Sequence, residues 1–214
     1  MWQATPFRSR RPTSNFGSVN TAHDELCGSP EWAAHLRDDI LMRLLAEVDL
    51  GRDMLELGPG PGAATEVLRA RVGRLTALEL DAGAARKLEA RFAGGNVTVL
   101  VGDCANPDLP NESFDSIGSF TMLHHLPTPE LQRTVLVEAF RVLKPGGVFL
   151  GSDSIASNEL HQFHADDTYN PVGPSWLLIQ LLTIGFRPVS LTVADELTFA
   201  AYKPRLDARR QDQA

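Results

Sequence analysis

The chain has 214 residues, of which 43 % are hydrophobic and 22 % charged, enough for one domain with an ordinary core and a modest appendage. Its net charge of −7 counts against a protein that binds phosphate backbones, which requires a basic field. No apolar run approaches the roughly 20 residues of a membrane span. Cys27 and Cys104 make neither a disulfide framework nor a zinc spacing, and read as reduced thiols of a cytoplasmic protein.

Residues 1–28 are rich in Ser, Thr, Pro, Asn and Arg and show no sustained period; they read as an N-terminal arm. Arg8, Arg10 and Arg11 occur there without the apolar core of an export signal. A helix start follows, with Ser29 as N-cap, Pro30 at the first helical position and Glu31 in the first turn. Trp32, Leu36, Ile40, Leu44 and Val48 recur every four residues, which predicts one apolar stripe on a helix of about five turns closed by Gly51. Short apolar runs then alternate with helical stretches. Strands are predicted at 54–57, 75–80, 97–101, 114–120 and 148–152, and helices at 63–72, 82–92 and 129–143. This order predicts βαβ units around a parallel sheet. A helix at 174–184, closed by Gly185, precedes strands at 189–193 and 197–202 whose short link predicts an antiparallel hairpin. The fold class is therefore α/β, a doubly wound mixed sheet occupying 29–204, with 205–214 as a charged, flexible tail.

The segment Asp53-Met54-Leu55-Glu56-Leu57-Gly58-Pro59-Gly60-Pro61-Gly62 is a strand running into a glycine-rich turn, with a helix beginning near Ala63. Glycines let a ligand approach the backbone, and the helix N-terminus behind them offers free N–H groups. Alone this marks a nucleotide or cofactor loop, and its spacing even satisfies a dinucleotide pattern. Glu56, two residues ahead of Gly58, sharpens the reading: a carboxylate there repels a pyrophosphate and attracts a ligand carrying an ammonium and a sulfonium. Glu79, followed by Leu80, ends the second strand where an acid can accept from ribose hydroxyls; Asp81 beside it is expected to cap the next helix. Asp103 closes the third strand, placed to accept from an adenine amine. All three acids fall at carboxyl ends of successive strands, the edge at which open α/β sheets bind ligands.

With these residues in order, followed by Phe114-Asp115-Ser116-Ile117, Leu123-His124-His125-Leu126 and Arg141-Val142-Leu143-Lys144-Pro145-Gly146-Gly147, the chain resembles the class I S-adenosylmethionine-dependent methyltransferases, especially those acting on small molecules. The resemblance covers roughly 29–202. It implies a Rossmann-like seven-stranded sheet with S-adenosylmethionine as cofactor. Gly58, Pro59, Gly60 and Gly62 would cradle its methionine part, Glu79 and Leu80 its ribose, and Asp103 with the backbone of Cys104 its adenine; Glu56 and Phe120 complete the expected cofactor set.

Methyl transfer from a sulfonium needs alignment and exclusion of water, and a base only where the acceptor must lose a proton. His124 and His125 leave the fourth strand at the cofactor edge and are the candidate bases. His125 is favoured, because a matching histidine serves in similar small-molecule enzymes. Asp153, after the fifth strand, is a further candidate to face the acceptor. The segment 157–173 is expected to shape the acceptor pocket. His161 and His164 with Asp166 and Asp167 in it approach a ligand spacing on a helix, yet no bound metal is expected. The arm is expected to close over the cofactor as a lid, with His23, Cys27 and Trp32 as contact candidates. The partner expected is a small-molecule acceptor, with no nucleic acid; the alternatives are a nicotinamide-dependent oxidoreductase and a catalytically inactive S-adenosylmethionine-binding protein. Nucleic-acid methylation lacks its Asn/Asp-Pro-Pro-aromatic motif, since Thr121-Met122-Leu123-His124 stands there.

Overall fold

The computed structural model describes residues 21–165 and 167–205. The arm up to residue 20 and the tail from 206 lie outside them, as does Asp166. Two helices come first, α1 (Thr21–Cys27) and α2 (Pro30–His35). As its sequence dictates, α2 begins where the Ser29 hydroxyl accepts from Trp32 N at 3.1 Å. It continues into wider, π-type turns over Leu36–Leu41 and then α3 (Met42–Leu44). This helical run stops at Leu44, short of the predicted five turns. The wide turns rotate the face, so that Leu36, Ile40, Leu41 and Leu45 are buried while Leu44 and Val48 are only partly covered. Past Leu44, Asp49 accepts from Gly51 N at 2.9 Å, a local bond that competes with further helix.

The alternating part comprises β1 (Asp53–Leu57), α4 (Ala63–Leu68), β2 (Arg74–Glu79), α5 (Ala82–Arg91), β3 (Val97–Val101), β4 (Phe114–Phe120), α6 (Pro129–Val142), β5 (Leu143–Ser154), α7 (Asn158–Phe163), α8 (Pro174–Ile184), β6 (Val189–Val193) and β7 (Glu196–Tyr202). The strands form one seven-stranded sheet in the order β3-β2-β1-β4-β5-β7-β6. Pairs from β3 to β5 are parallel, and β7 pairs antiparallel with both β5 and β6. The expected mixed, doubly wound sheet is what the chain adopts. Two boundaries differ. Strand β5 starts five positions early, because Leu143 pairs with Phe114 ahead of a register shift. Helix α4 ends at Leu68, and the chain then turns where the Asn96 amide donates to the carbonyls of Arg69 and Val72 at 2.9 and 3.0 Å.

Successive strand residues point to opposite faces, so the core divides in two. Leu57, Ile117, Phe149 and Phe199 pack with Leu136 of α6 and Leu181 of α8. Met54, Leu75 and Leu150 pack with Leu41 and with Leu68 of α4 on the other face. Strand order reverses between β1 and β4, and the crevice above that switch point is where such sheets hold ligands. Among the described residues no helix is long and apolar enough to cross a membrane.

Candidate active site

The loop after β1 is shaped by three left-handed glycines, Gly58, Gly60 and Gly62, with φ of +61°, +52° and +86°. Two of them face protein: a β-carbon on Gly58 would lie 2.4 Å from Met122 Cγ, and one on Gly62 2.6 Å from Leu88 Cδ1. Gly60 differs, since nothing lies within 4 Å of the added carbon. Its outer side is open ground for a ligand. Gly58 N donates to Leu78 O at 3.0 Å and Gly62 N to Pro59 O at 3.0 Å, so the loop is held from β2 and from within.

The three acids sit where expected. Glu79 ends β2 and spans two segments, accepting from Gly60 N at 3.2 Å and Asp81 N at 3.0 Å. These bonds use part of the four lone-pair directions of a carboxylate, leaving acceptor capacity for vicinal hydroxyls. Asp81 caps α5 as expected, accepting from Ala84 N at 2.7 Å. Leu80 follows Glu79, half-buried. Asp103 follows β3 and turns the chain by accepting from Ala105 N at 2.8 Å. Burial and then Asp103 push the Cys104 thiol up to about 12, so the thiol stays protonated at physiological pH. Phe120 ends β4 at the same rim, with its ring packed into the second apolar cluster. Glu56 is 1 % exposed and accepts from the Thr65 hydroxyl at 2.7 Å. Burial lifts its pKa to about 7, with Thr65 opposing and the Glu79 charge adding to the rise. A cationic ligand beside Glu56 offsets that burial penalty directly.

The acceptor side begins at Thr121, a β-branched residue held at φ +50°, which is a costly conformation. It turns the chain off β4 so that Met122 abuts Gly58 and the 3₁₀ turn Leu123–His125 lies against the end of β5. There His124 Nδ1 meets Asp153 Oδ1 at 2.7 Å, both side chains buried. Burial and the surrounding histidines, His124 first, push His125 down to about 2, so its ring is neutral at physiological pH.

The structure adds two histidines to this pair. His23 from α1 and His164 just beyond α7 close over them, with ring centroids of His23 and His125 4.7 Å apart and of His124 and His164 5.2 Å apart. His161 stays outside, exposed and edge-on to Tyr169. His161 and His164 therefore do not share a site; His164 turns inward without it, 2.7 Å through Nδ1 from Leu160 O. Of the other arm candidates, half-buried Cys27 lines a cavity of about 340 Å³ between the α1–α2 turn and Pro61 and Ala63 of the glycine loop. Trp32 packs on His35, with centroids 5.6 Å apart.

Comparison with known proteins agrees with this geometry. Residues 55–151 match the family model described as a methyltransferase domain. The chain is 34 % identical over 117 residues to an uncharacterized methyltransferase of Mycobacterium tuberculosis, covering 54 % of this chain and 57 % of that one. It is 31 % identical over 159 residues to the malonyl-[acyl-carrier protein] O-methyltransferase of Serratia marcescens, covering 72 % and 59 %. The chain thus spans a little over half the length of these relatives. Among solved structures, phosphoethanolamine N-methyltransferase 2 of Haemonchus contortus, in complex with S-adenosyl-L-methionine, superposes with a TM-score of 0.67 at 17–16 % identity across its two complexes; the one with S-adenosyl-L-methionine, 16 % identical, covers 86 % of this chain and 56 % of that one. The glycine loop, its acids and the seven-stranded sheet define a Rossmann-like cofactor-binding domain. Residues 55–151 thus carry a methyltransferase domain, and the chain is similar in sequence and fold to class I S-adenosylmethionine-dependent methyltransferases.

Proposed function

We propose that the protein transfers a methyl group from S-adenosylmethionine to a small-molecule acceptor, with oxygen the favoured acceptor atom. The observation that carries this reading is the roofed acceptor side: His23 and His164, brought by α1 and α7 over the ends of β4 and β5, are themselves 6 % and 5 % exposed. A strand edge covered by buried side chains suits a compact acceptor. The net charge of −7 gives no general attraction for nucleic acid.

The cofactor supplies an electrophilic methyl on a sulfonium, with a neutral thioether as leaving group. Gly60 leaves room for its methionine part, Glu56 offers a negative partner to its cationic end, and Glu79 and Asp103 accept from its ribose and adenine. The largely buried rim formed by Met122 and the histidine cluster keeps water from the acceptor. His124 and His125 flank the acceptor, and Asp153 positions the His124 ring. The arm around His23 serves as the lid over this site.

Incubation of the purified protein with methyl-labelled S-adenosylmethionine, and with small metabolites, RNA and protein extracts in separate arms, tests the reading. Label is expected in the small-metabolite arm. Transfer confined to RNA or protein overturns it, as does tight binding of a nicotinamide dinucleotide in place of S-adenosylmethionine and S-adenosylhomocysteine.

A further inference from the structure

Four imidazoles meet at one point of the fold. His23, His124, His125 and His164 each place a ring nitrogen so that all four lie within 4.8 Å of one another. They come from α1, from the turn after β4 and from the end of α7, and three of them are 6 %, 2 % and 5 % exposed in the order His23, His124, His164. A cluster of solvated surface histidines looks nothing like this.

The outer side of three of the rings is anchored to oxygen. His23 Nδ1 lies 3.1 Å from Asp167 Oδ2, His124 Nδ1 2.7 Å from Asp153 Oδ1, and His164 Nδ1 2.7 Å from Leu160 O. An oxygen that accepts at Nδ1 fixes the tautomer whose lone pair sits on Nε2. Nε2 of His124 and Nε2 of His164 are buried without a hydrogen-bond partner. Imidazoles tied on the outside by carboxylates and carbonyls, with basic nitrogens converging inside, are what a metal's ligand shell requires.

We propose that His23, His124, His125 and His164 bind a divalent first-row transition metal ion of the zinc type. An all-imidazole set selects zinc, nickel, copper or iron over magnesium and calcium, which take oxygen ligands. Zinc–nitrogen bonds of about 2.0–2.1 Å put tetrahedral ligand nitrogens roughly 3.3 Å apart, so the widest pair draws in on binding. His23 and His164 do this most readily, being carried on the short roofing elements while His124 is fixed by Asp153. Four imidazoles complete a tetrahedral shell, as in structural zinc sites, so the ion would lock His23 and His164 over the ends of β4 and β5 and hold the roof of the acceptor side closed; that role rests on the methyl-transfer reading, and binding of the ion itself does not.

The test uses the untagged full chain, stripped with a chelator and titrated with Zn²⁺ against a chromophoric competitor and with Co²⁺ by visible absorption. One equivalent binding with sub-micromolar affinity is expected, with cobalt bands typical of nitrogen ligands. His124→Ala and His164→Ala should each weaken binding at least 100-fold, and Asp153→Asn about 10- to 100-fold. His161→Ala, exposed and outside the cluster, should leave it unchanged. Calorimetry with S-adenosylhomocysteine on every variant reports the cofactor fold separately. Affinity for both ions weaker than about 100 µM, in a chain that still binds S-adenosylhomocysteine, overturns the metal site alone; so does affinity that His124→Ala and His164→Ala leave intact. A chain that takes zinc but no S-adenosylhomocysteine overturns the methyl-transfer reading and leaves the metal site standing.

Discussion

Asp153 and His124 sit 29 residues apart in the chain, yet Oδ1 of the first and Nδ1 of the second meet at 2.7 Å with both side chains buried. Neighbouring parallel strands β4 and β5 make the contact: each delivers one partner at its carboxyl end. Asp153 also accepts from its neighbour Ser154 N at 2.8 Å, so the carboxylate is fixed before it fixes the ring. Replacing Asp153 with Asn removes the charge and allows the wrong tautomer. Turnover should fall about 10- to 100-fold, the range for a lost outer-shell partner, while the KM for S-adenosylmethionine stays within about twofold. Steady-state kinetics at saturating acceptor checks this.

Glu56 makes stability depend on pH. Its pKa in the folded chain is raised from 4.5 to about 7, chiefly by burial, so between those values the folded state holds a proton that the unfolded chain has lost. Stability therefore falls as pH rises through that window, by roughly 3 kcal/mol at about 1.4 kcal/mol per unit. Glu56→Gln, which cannot ionise, should melt several degrees above the native chain at pH 8 and close to it at pH 5. Melting curves that stay parallel across this range refute the assignment.

The same group links pH to cofactor affinity. The ligand's ammonium group pairs with the ionised carboxylate, so with a free pKa of about 7 affinity for S-adenosylhomocysteine should drop about tenfold from pH 8 to pH 6. Calorimetry in Glu56→Gln should show the dependence gone, along with most of the affinity.

Two glycines two residues apart should behave differently. Alanine at Gly60 meets open space, whereas alanine at Gly62 lies 2.6 Å from Leu88 and 2.9 Å from Phe92. Both pay about 1–2 kcal/mol for a left-handed backbone. Beyond that, Gly60→Ala should fold and lose cofactor affinity, and Gly62→Ala should lose stability first. Paired thermal melts and titrations distinguish the two.

Charge at the opposite edge of the sheet should matter for stability only. Asp115 accepts from Arg52 N, Asp53 N and Lys144 Nζ at 3.1, 2.9 and 2.6 Å, tying the starts of β1, β4 and β5. Asp115→Ala should cost about 2 kcal/mol, seen as a melting point lower by several degrees, with S-adenosylhomocysteine binding unchanged.

The glycine loop, Glu56, Glu79 and Asp103 could be read from the sequence because each is tied to a local pattern, a strand end followed by a tight turn. The parallel sheet and its closing antiparallel hairpin followed from the alternation of elements, whereas the strand order did not. The histidine cluster was harder. His23, His124, His125 and His164 were each visible as polar residues in suspect places, but their meeting is a property of tertiary packing between segments more than a hundred residues apart. Spacing drew attention instead to His161 with His164, but His164 lies just past the end of α7 and turns inward while His161 stays exposed. The early end of the first long helix was hidden for a similar reason: π-type turns shift the buried face by one residue, and a four-residue period carries no mark of that shift.

His23 gives the opening helix a weight that its seven residues would not suggest. Because its imidazole reaches Asp167 and the three other rings, the start of the described chain is bound into the same knot as the end of the central strands. Removing α1 alone would leave the sheet, its cofactor loop and the packing of Leu36, Ile40 and Leu41 in place, with the histidine cluster unroofed. Such a shortened protein should hold S-adenosylhomocysteine and transfer nothing.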